Sequence, residues 1–180
     1  MADVKFFPYG NAEEKQAGKH WEFECQHGTD ECQFNLVETC GINKIENAVT
    51  RYEFVSWVEQ SVYDSSDYDG TVTKCAEKAG VENLTQDILS CYKGDEGNAL
   101  EHVMGQATEA LNPPNEYVPW ITVDGVHDKS KEDQIHMDLL GFVCANYSGP
   151  NKSKDCPKSE VVKTATNMPK CYKDILFLQN

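Results

Sequence analysis

The chain has 180 residues, 39% hydrophobic and 26% charged, an ordinary globular balance rather than a disordered one, and its length suits one domain or a core with an inserted subdomain. Acidic residues number 30 against 16 basic ones, and the formal net charge of −14 repels phosphate backbones and anionic lipid, so no nucleic acid and no membrane are expected as partners. No run approaches the roughly 18 apolar residues of a membrane span.

In chain order, "VKFFPYG" reads as a short strand ended by Pro8-Tyr9-Gly10. Residues 11–40 are polar, glycine-containing and cysteine-rich, which predicts a stapled loop region. Across 43–63, Ile45, Val49, Tyr52, Val55, Val58 and Val62 recur at steps of three and four, the spacing of an amphipathic helix. "DSSDYDG" breaks it. Helical pattern resumes over 73–78, 85–92 and 98–111, and Pro113-Pro114 stops it. "YVPWITVDGV" then predicts a strand, an Asp124-Gly125 turn and a return strand, since Asp-Gly between apolar flanks is a strong hairpin signal. A last helix over 131–147 carries Ile135, Leu139, Leu140, Phe142 and Val143. The tail, 148–180, is rich in Lys, Ser and Pro, with Cys156 and Cys171 to tie it down. No internal repeat or dividing linker occurs. Helices set between one strand and a terminal hairpin suit an α/β or α+β layer fold with a helical insertion.

Eight cysteines, at 25, 32, 40, 75, 91, 144, 156 and 171, are an even number and many for a reduced cytosolic protein. Three N-x-[ST] sequons, at Asn83, Asn146 and Asn151, add weak markers of glycosylation, because chance supplies roughly one. Together they favour a secreted or lysosomal route. The opening "MADVKFFPYG" has no basic, apolar or cleavage region of a signal peptide. The chain is therefore expected to be either a reduced cytosolic protein or a piece whose natural N-terminus lies upstream, and the second reading is preferred.

Cys25, His27, Cys32 and Cys40 space as C-x-H-x4-C-x7-C, which offers soft metal ligands but lacks the C-x2-4-C knuckle of most zinc sites. Structural disulfides are preferred, and neither a metal nor a cofactor is expected. A Cys25–His27 nucleophile pair has no supporting motif, and the chain contains no C-x-x-C dithiol, so no catalytic residue is assigned. His20, His102, His127 and His136 stand singly, and Trp21, Trp57 and Trp120 read as core. Val118-Pro119, just before an apolar strand, is open to two readings. It is a cis bond beside a functional site, or a trans proline at a strand's first residue.

"CQHGTDECQFNLVETC", residues 25–40, reads C-Q-H-G-x-x-E-C-x-x-N-x-x-E-x-C, carried by Cys25, Gln26, His27, Gly28, Glu31, Cys32, Asn35, Glu38 and Cys40. This resembles the signature of the gamma-interferon-inducible lysosomal thiol reductase (GILT) family. "PYGNA", "WEFECQHG", "PPNEYVPWITVDG" and "LLGFVCANYSG" follow in family order, and the resemblance covers roughly residues 3–156. It implies a thioredoxin-like α/β fold with a helical insertion at about 43–111, in a domain over 1–147 that lacks its first strand and catalytic helix, followed by a cysteine-tethered tail. It implies reduction of disulfide bonds in protein substrates by a C-x-x-C upstream of "PYGNA", with Val118 and Pro119 positioning the substrate strand and the signature cysteines structural. Without that dithiol the chain by itself is expected to be inactive, and without the first strand it is expected to be either unstable or held mainly by its disulfides. Cys75, Cys91, Cys144, Cys156 and Cys171 are expected to be bridged, with Cys75–Cys91 the firmest pair. The alternative is a non-catalytic secreted binding protein on the same scaffold.

Overall fold

The computed structural model describes residues 2–61 and 66–157. Strand alternation in "HWEFE" is the first ordering signal: Trp21 and Phe23 turn inward while His20, Glu22 and Glu24 face water. This five-residue strand, β2 (His20–Glu24), pairs antiparallel with β1 (Glu13–Ala17) through a turn at Gly18, whose φ of +67° suits a residue without a Cβ. The hairpin lies inside the stretch expected to be loop. That expectation gave weight to polarity and missed the period-two pattern. Conversely, residues 4–7, expected as a strand, form none, because no neighbouring strand offers a ladder among the described residues.

The other part of the supposed loop is α1 (Thr29–Lys44). Its first turn carries Asp30 and Glu31 and its last carries Lys44, the charge order that the helix dipole favours. No apolar stripe announces it, because Phe34, Val37, Glu38, Thr39, Cys40 and Gly41 are buried on more than one side. Four helices account for that burial: α2 (Ala48–Glu59), α3 (Tyr68–Lys78), α4 (Thr85–Tyr92), entered through a short 3-10 turn, and α5 (Asp95–Glu109). The shared core holds Phe34, Val37, Phe54, Val58, Val72 and Ile88, and each such buried side chain contributes about 1.5–3 kcal/mol.

Approach distances are set by glycines. A Cβ on Gly41 would stand 2.2 Å from Phe54 Cε1, so α1 and α2 close to this spacing only with glycine there. The expected stripe over 43–63 is partly corrected. Ile45 belongs to the end of α1, Asn47 caps α2 by accepting from Val49 and Thr50 N–H, and Phe54, Val55 and Val58 make the buried face. Val49 and Tyr52 are 67% and 53% exposed, and Val62 lies outside the described residues. The helices expected over 73–78, 85–92 and 98–111 are present as α3, α4 and α5.

After α5 the chain forms the expected hairpin, β3 (Thr122–Val123) and β4 (Val126–His127), with Asp124 and Gly125 both at positive φ. The fold is thus mixed α/β and helix-rich, with two small antiparallel sheets. The final helix, α6 (Lys129–Asn146), is broken at Asp138, whose carboxylate accepts from Gly141 N–H at 2.8 Å and starts a new segment. The described residues fall into two compact units, residues 3–133 and a smaller one made of Ala2 and residues 134–157. In the second, Cys144–Cys156 ties the tail to the helix end, while Leu139 and Leu140 of the expected stripe are about half exposed (46% and 47%).

Cysteine pairing differs from the expectation at one point. Cys91 on α4 bonds Cys40 on α1, with Cα atoms 5.9 Å apart, and Cys75 on α3 is a buried free thiol. Cys75 Sγ instead lies 3.9 Å from Ser61 Oγ, and burial raises the thiol's pKa. All three cysteines lie in one buried core on packed helices, and which two bond depends on how the helices rotate and approach, which no spacing along the chain encodes. Cys171 lies outside the described residues.

On the chain-entropy relation, the 51-residue separation of Cys40 and Cys91 corresponds to about 4 kcal/mol. Urea melts of the Cys40→Ser/Cys91→Ser double variant should show a loss of that order. Cys75→Ala should cost only the packing of one small side chain, about 1 kcal/mol, and leave the three described disulfides intact by mass.

Candidate functional site

Gly28, at φ 95°, N-caps α1, and the Glu31 carboxylate reaches back to accept from His27 N–H at 2.6 Å. His27 Nδ1 lies 3.3 Å from the same carboxylate. Cys25, just after β2, is bonded to Cys32 in the second turn of α1, and the Asn35 amide lies 4.0 Å from Cys25 Sγ. Cys32 and Cys40 therefore anchor the two ends of α1, one to the hairpin and one to α4. All three cysteines of the C-x-H-x4-C-x7-C spacing are engaged as disulfides, and among the described residues no three His, Cys, Asp or Glu side chains gather as a metal site.

Gln26 joins this segment to two others. Asn115 Nδ2 donates to Asn11 Oδ1, and Asn11 Nδ2 donates to Gln26 Oε1, both at 2.9 Å. Gly10 has φ 59°, a conformation that favours glycine, and a Cβ there would stand 3.3 Å from Val118 Cγ1, so Val118 packs closely against this turn. "PYGNA", "CQHG" and "PNEYVP", distant in sequence, are thereby brought to one place. Val118 is 39% exposed, and the Val118–Pro119 peptide bond is cis.

Glu132 supports that loop from beneath. Its side chain is fully buried and accepts from Tyr117 hydroxyl at 2.7 Å, Ile121 N–H at 3.2 Å and Lys129 Nζ at 3.2 Å. Burial acts to raise its pKa, and those three donors outweigh it, so the carboxyl stays below its ordinary value and ionised. His127 Nδ1 lies 3.0 Å from Ile121 O, and its ring stacks on Trp120 at 3.5 Å. The donors bracket Val118-Pro119, so Glu132 holds the Tyr117 side chain before it and the Ile121 backbone after it. This network was not visible in the sequence, where Glu132 is one acid in a polar run.

A second set of carboxyls is buried without a cation. Glu38 carries an oxygen with no partner, and burial, followed by repulsion from Glu59, pushes its pKa well up. Glu101 is raised to about 8, mainly by burial, although the Thr39 hydroxyl within 2.6 Å counteracts part of this. Tyr9 packs against Gly105 beside Glu14, and its hydroxyl is pushed up by burial and then by Glu14. His102 Nδ1 contacts Glu14 at 2.6 Å while its ring stacks on Trp21 at 3.7 Å. The remaining expected positions are peripheral: the sequon residues Asn83, Asn146 and Asn151 are all exposed.

These features define a disulfide-stapled, helix-rich α/β domain with one convergent loop site. Residues 1–79 match the family model of the gamma interferon inducible lysosomal thiol reductase (GILT). The chain is 34% identical over 173 residues to the mouse gamma-interferon-inducible lysosomal thiol reductase, covering 96% of the chain and 64% of that protein. It is 34% identical over 149 residues to the Carassius auratus protein of the same name, covering 83% of the chain and 57% of the relative. With the Arabidopsis thaliana gamma-interferon-responsive lysosomal thiol protein it shares 35% over 153 residues, again 83% of the chain and 58% of the relative. The chain thus spans a little under two thirds of these curated relatives. It belongs to the GILT family, and the mouse and Carassius auratus relatives are named thiol reductases.

Two outcomes follow from the buried carboxyls. A carboxyl whose folded pKa exceeds its unfolded one favours the fold while protonated, so Glu101's contribution is full below about pH 4.5 and is lost as pH rises through about 8. Thermal melts should fall across that window, and Glu101→Gln should flatten the fall. Glu132 runs oppositely, contributing above its unfolded pKa and fading as pH drops through the lowered folded value. Glu132→Ala should cost about 3 kcal/mol at neutral pH, read from urea unfolding, because Lys129, Tyr117 and Ile121 lose their shared acceptor.

Proposed function

We propose that this chain is part of a thiol reductase that reduces disulfide bonds in protein substrates in a lysosomal or secreted setting. On this reading the protein has a thioredoxin-like arrangement carrying the helical layer. Its Val118-Pro119 backbone receives the substrate strand, and the nine signature residues from Cys25 to Cys40 hold the scaffold. The observation that carries it is the convergence of "PYGNA", "CQHG" and the Val118-Pro119 loop through Asn115, Asn11 and Gln26. A receptor loop buttressed by a buried ionised carboxylate is a rigid platform, as a strand-binding backbone needs to be.

The chemistry of such an enzyme is thiolate attack on the substrate disulfide, formation of a mixed disulfide, and its resolution by a second thiol. Neither thiol is supplied by the described cysteines: six are bridged, and Cys75 is buried with a raised pKa. The 180-residue chain alone is therefore inactive as a reductase on this proposal. That same wiring favours a second reading, a secreted binding protein on the GILT scaffold. Exposed Asn83, Asn146 and Asn151 would carry glycans under either.

Turnover on a small disulfide-bonded protein separates the two. The 180-residue chain should give none above the buffer rate. The native gene product, purified from its source, should reduce the substrate and lose activity on thiol alkylation. An inert native product rejects the reductase and leaves the binder.

A further inference from the structure

An open groove of about 440 Å³ lies between β2 and the first turns of α1, walled by Trp21, Phe23, Leu36 and the Cys25–Cys32 disulfide. It shares Leu36 and Asn98 with a second depression of about 220 Å³ that runs on toward Tyr92 and Gly94. One side of the groove is the outer edge of a strand. Trp21 N–H donates to Asn98 Oδ1 at 2.8 Å, and Asn98 Nδ2 donates to Trp21 O at 2.7 Å, so a side-chain amide occupies this edge as a neighbouring peptide would.

In an antiparallel ladder, residues two apart direct their backbone groups to the same side. Phe23 therefore presents its N–H and C=O off the same edge as Trp21, into the groove. Cys32 Sγ, 3.5 Å from Phe23 O, is part of a disulfide and has no proton to give. Among the described residues β2 pairs with β1 alone, and none of the described strands covers this edge. Glu24 is the one acidic residue on the lining of the larger groove, which has no lysine or arginine, and Glu22 is exposed on the same strand, while Lys93 and Asp95 lie at the second depression.

We propose that this groove binds an extended, basic polypeptide segment, taken as a short added strand on β2 at Phe23. Backbone pairing at Phe23 supplies register, and alternate apolar side chains settle against Trp21, Phe23 and Leu36. A cationic side chain meets Glu24, in keeping with the −14 charge of the chain. The occupant's class, a polypeptide, rests on the reading of protein substrates, for which the groove would be a second holding point beyond the Val118-Pro119 loop.

The test is a titration of the isotope-labelled full chain, followed by amide chemical shifts, with a peptide of about nine residues alternating lysine and valine. Saturable shifts at Phe23 and at the Asn98 side chain are expected. Methylating the peptide's edge-facing nitrogens should weaken binding about ten-fold, since it removes the strand bond. Glutamate in place of lysine, or Glu24→Lys in the protein, should each weaken it about five-fold. Thr29→Trp, at an exposed position on the opposite wall, should block the groove without touching β2. Absence of saturable shifts at Phe23 up to about 1 mM peptide, or equal binding of the methylated peptide, overturns the proposal. Shifts confined to Gly10 and Val118 overturn the groove while supporting the loop as the substrate's place. Shifts at neither overturn both.

Discussion

Helix α1 has to be buried on most of its circumference, and the rest of the domain is arranged to do so. Its polar middle, Glu38 and Thr39, is as inaccessible as its apolar Phe34 and Val37. A helix of this kind cannot be stable alone, because it has no apolar face strong enough to offset the cost of desolvating a carboxyl. Packing of α2, α3, α4 and α5 around it, the glycine at 41 that admits Phe54, and covalent ties at Cys32 and Cys40 supply what its own sequence does not. The same burial disfavours the ionised form of Glu38 and Glu101, which links the integrity of the helical layer to acidity.

The site stands on a separate principle, that of loops held by polar side chains rather than by a sheet. Asn11, Gln26 and Asn115 pass a hydrogen bond from one turn to the next, while Glu132 gathers donors from both sides of Val118-Pro119. One arrangement is exposed and neutral, the other buried and ionised, and the difference in stakes follows from dielectric: losing an exposed amide contact returns both groups to water, whereas losing a donor to Glu132 strands a charge. The buried network therefore fixes the loop, and the amides fix its neighbours.

Disulfides divide the labour in a similar way. Cys25–Cys32 closes a short local turn at the mouth of the groove, Cys40–Cys91 crosses the core, and Cys144–Cys156 belongs to the smaller unit. Only the second constrains a long stretch of chain, and it joins the two helices whose contact defines the centre of the layer. Cys75, in the same core but on α3, is left as a thiol because its helix turns it toward Ser61.

The sequence by itself determined the elements whose signal is local. Asp124-Gly125 set a hairpin because both residues tolerate positive φ, the helices at 85–92 and 98–111 showed their period, and the sixteen residues from Cys25 identified the family. It also carried, unread, the alternation of "HWEFE". Local pattern could not show α1, since a helix buried on several faces loses the one-sided stripe that marks a helix. Tertiary structure alone decided that Cys40 rather than Cys75 meets Cys91, that Glu132 lies beneath the Val118-Pro119 loop, and that Asn98 bonds the β2 edge at Trp21. Each of these is a contact between residues far apart in the chain, fixed by how helices rotate and approach, and no spacing along the sequence encodes that rotation.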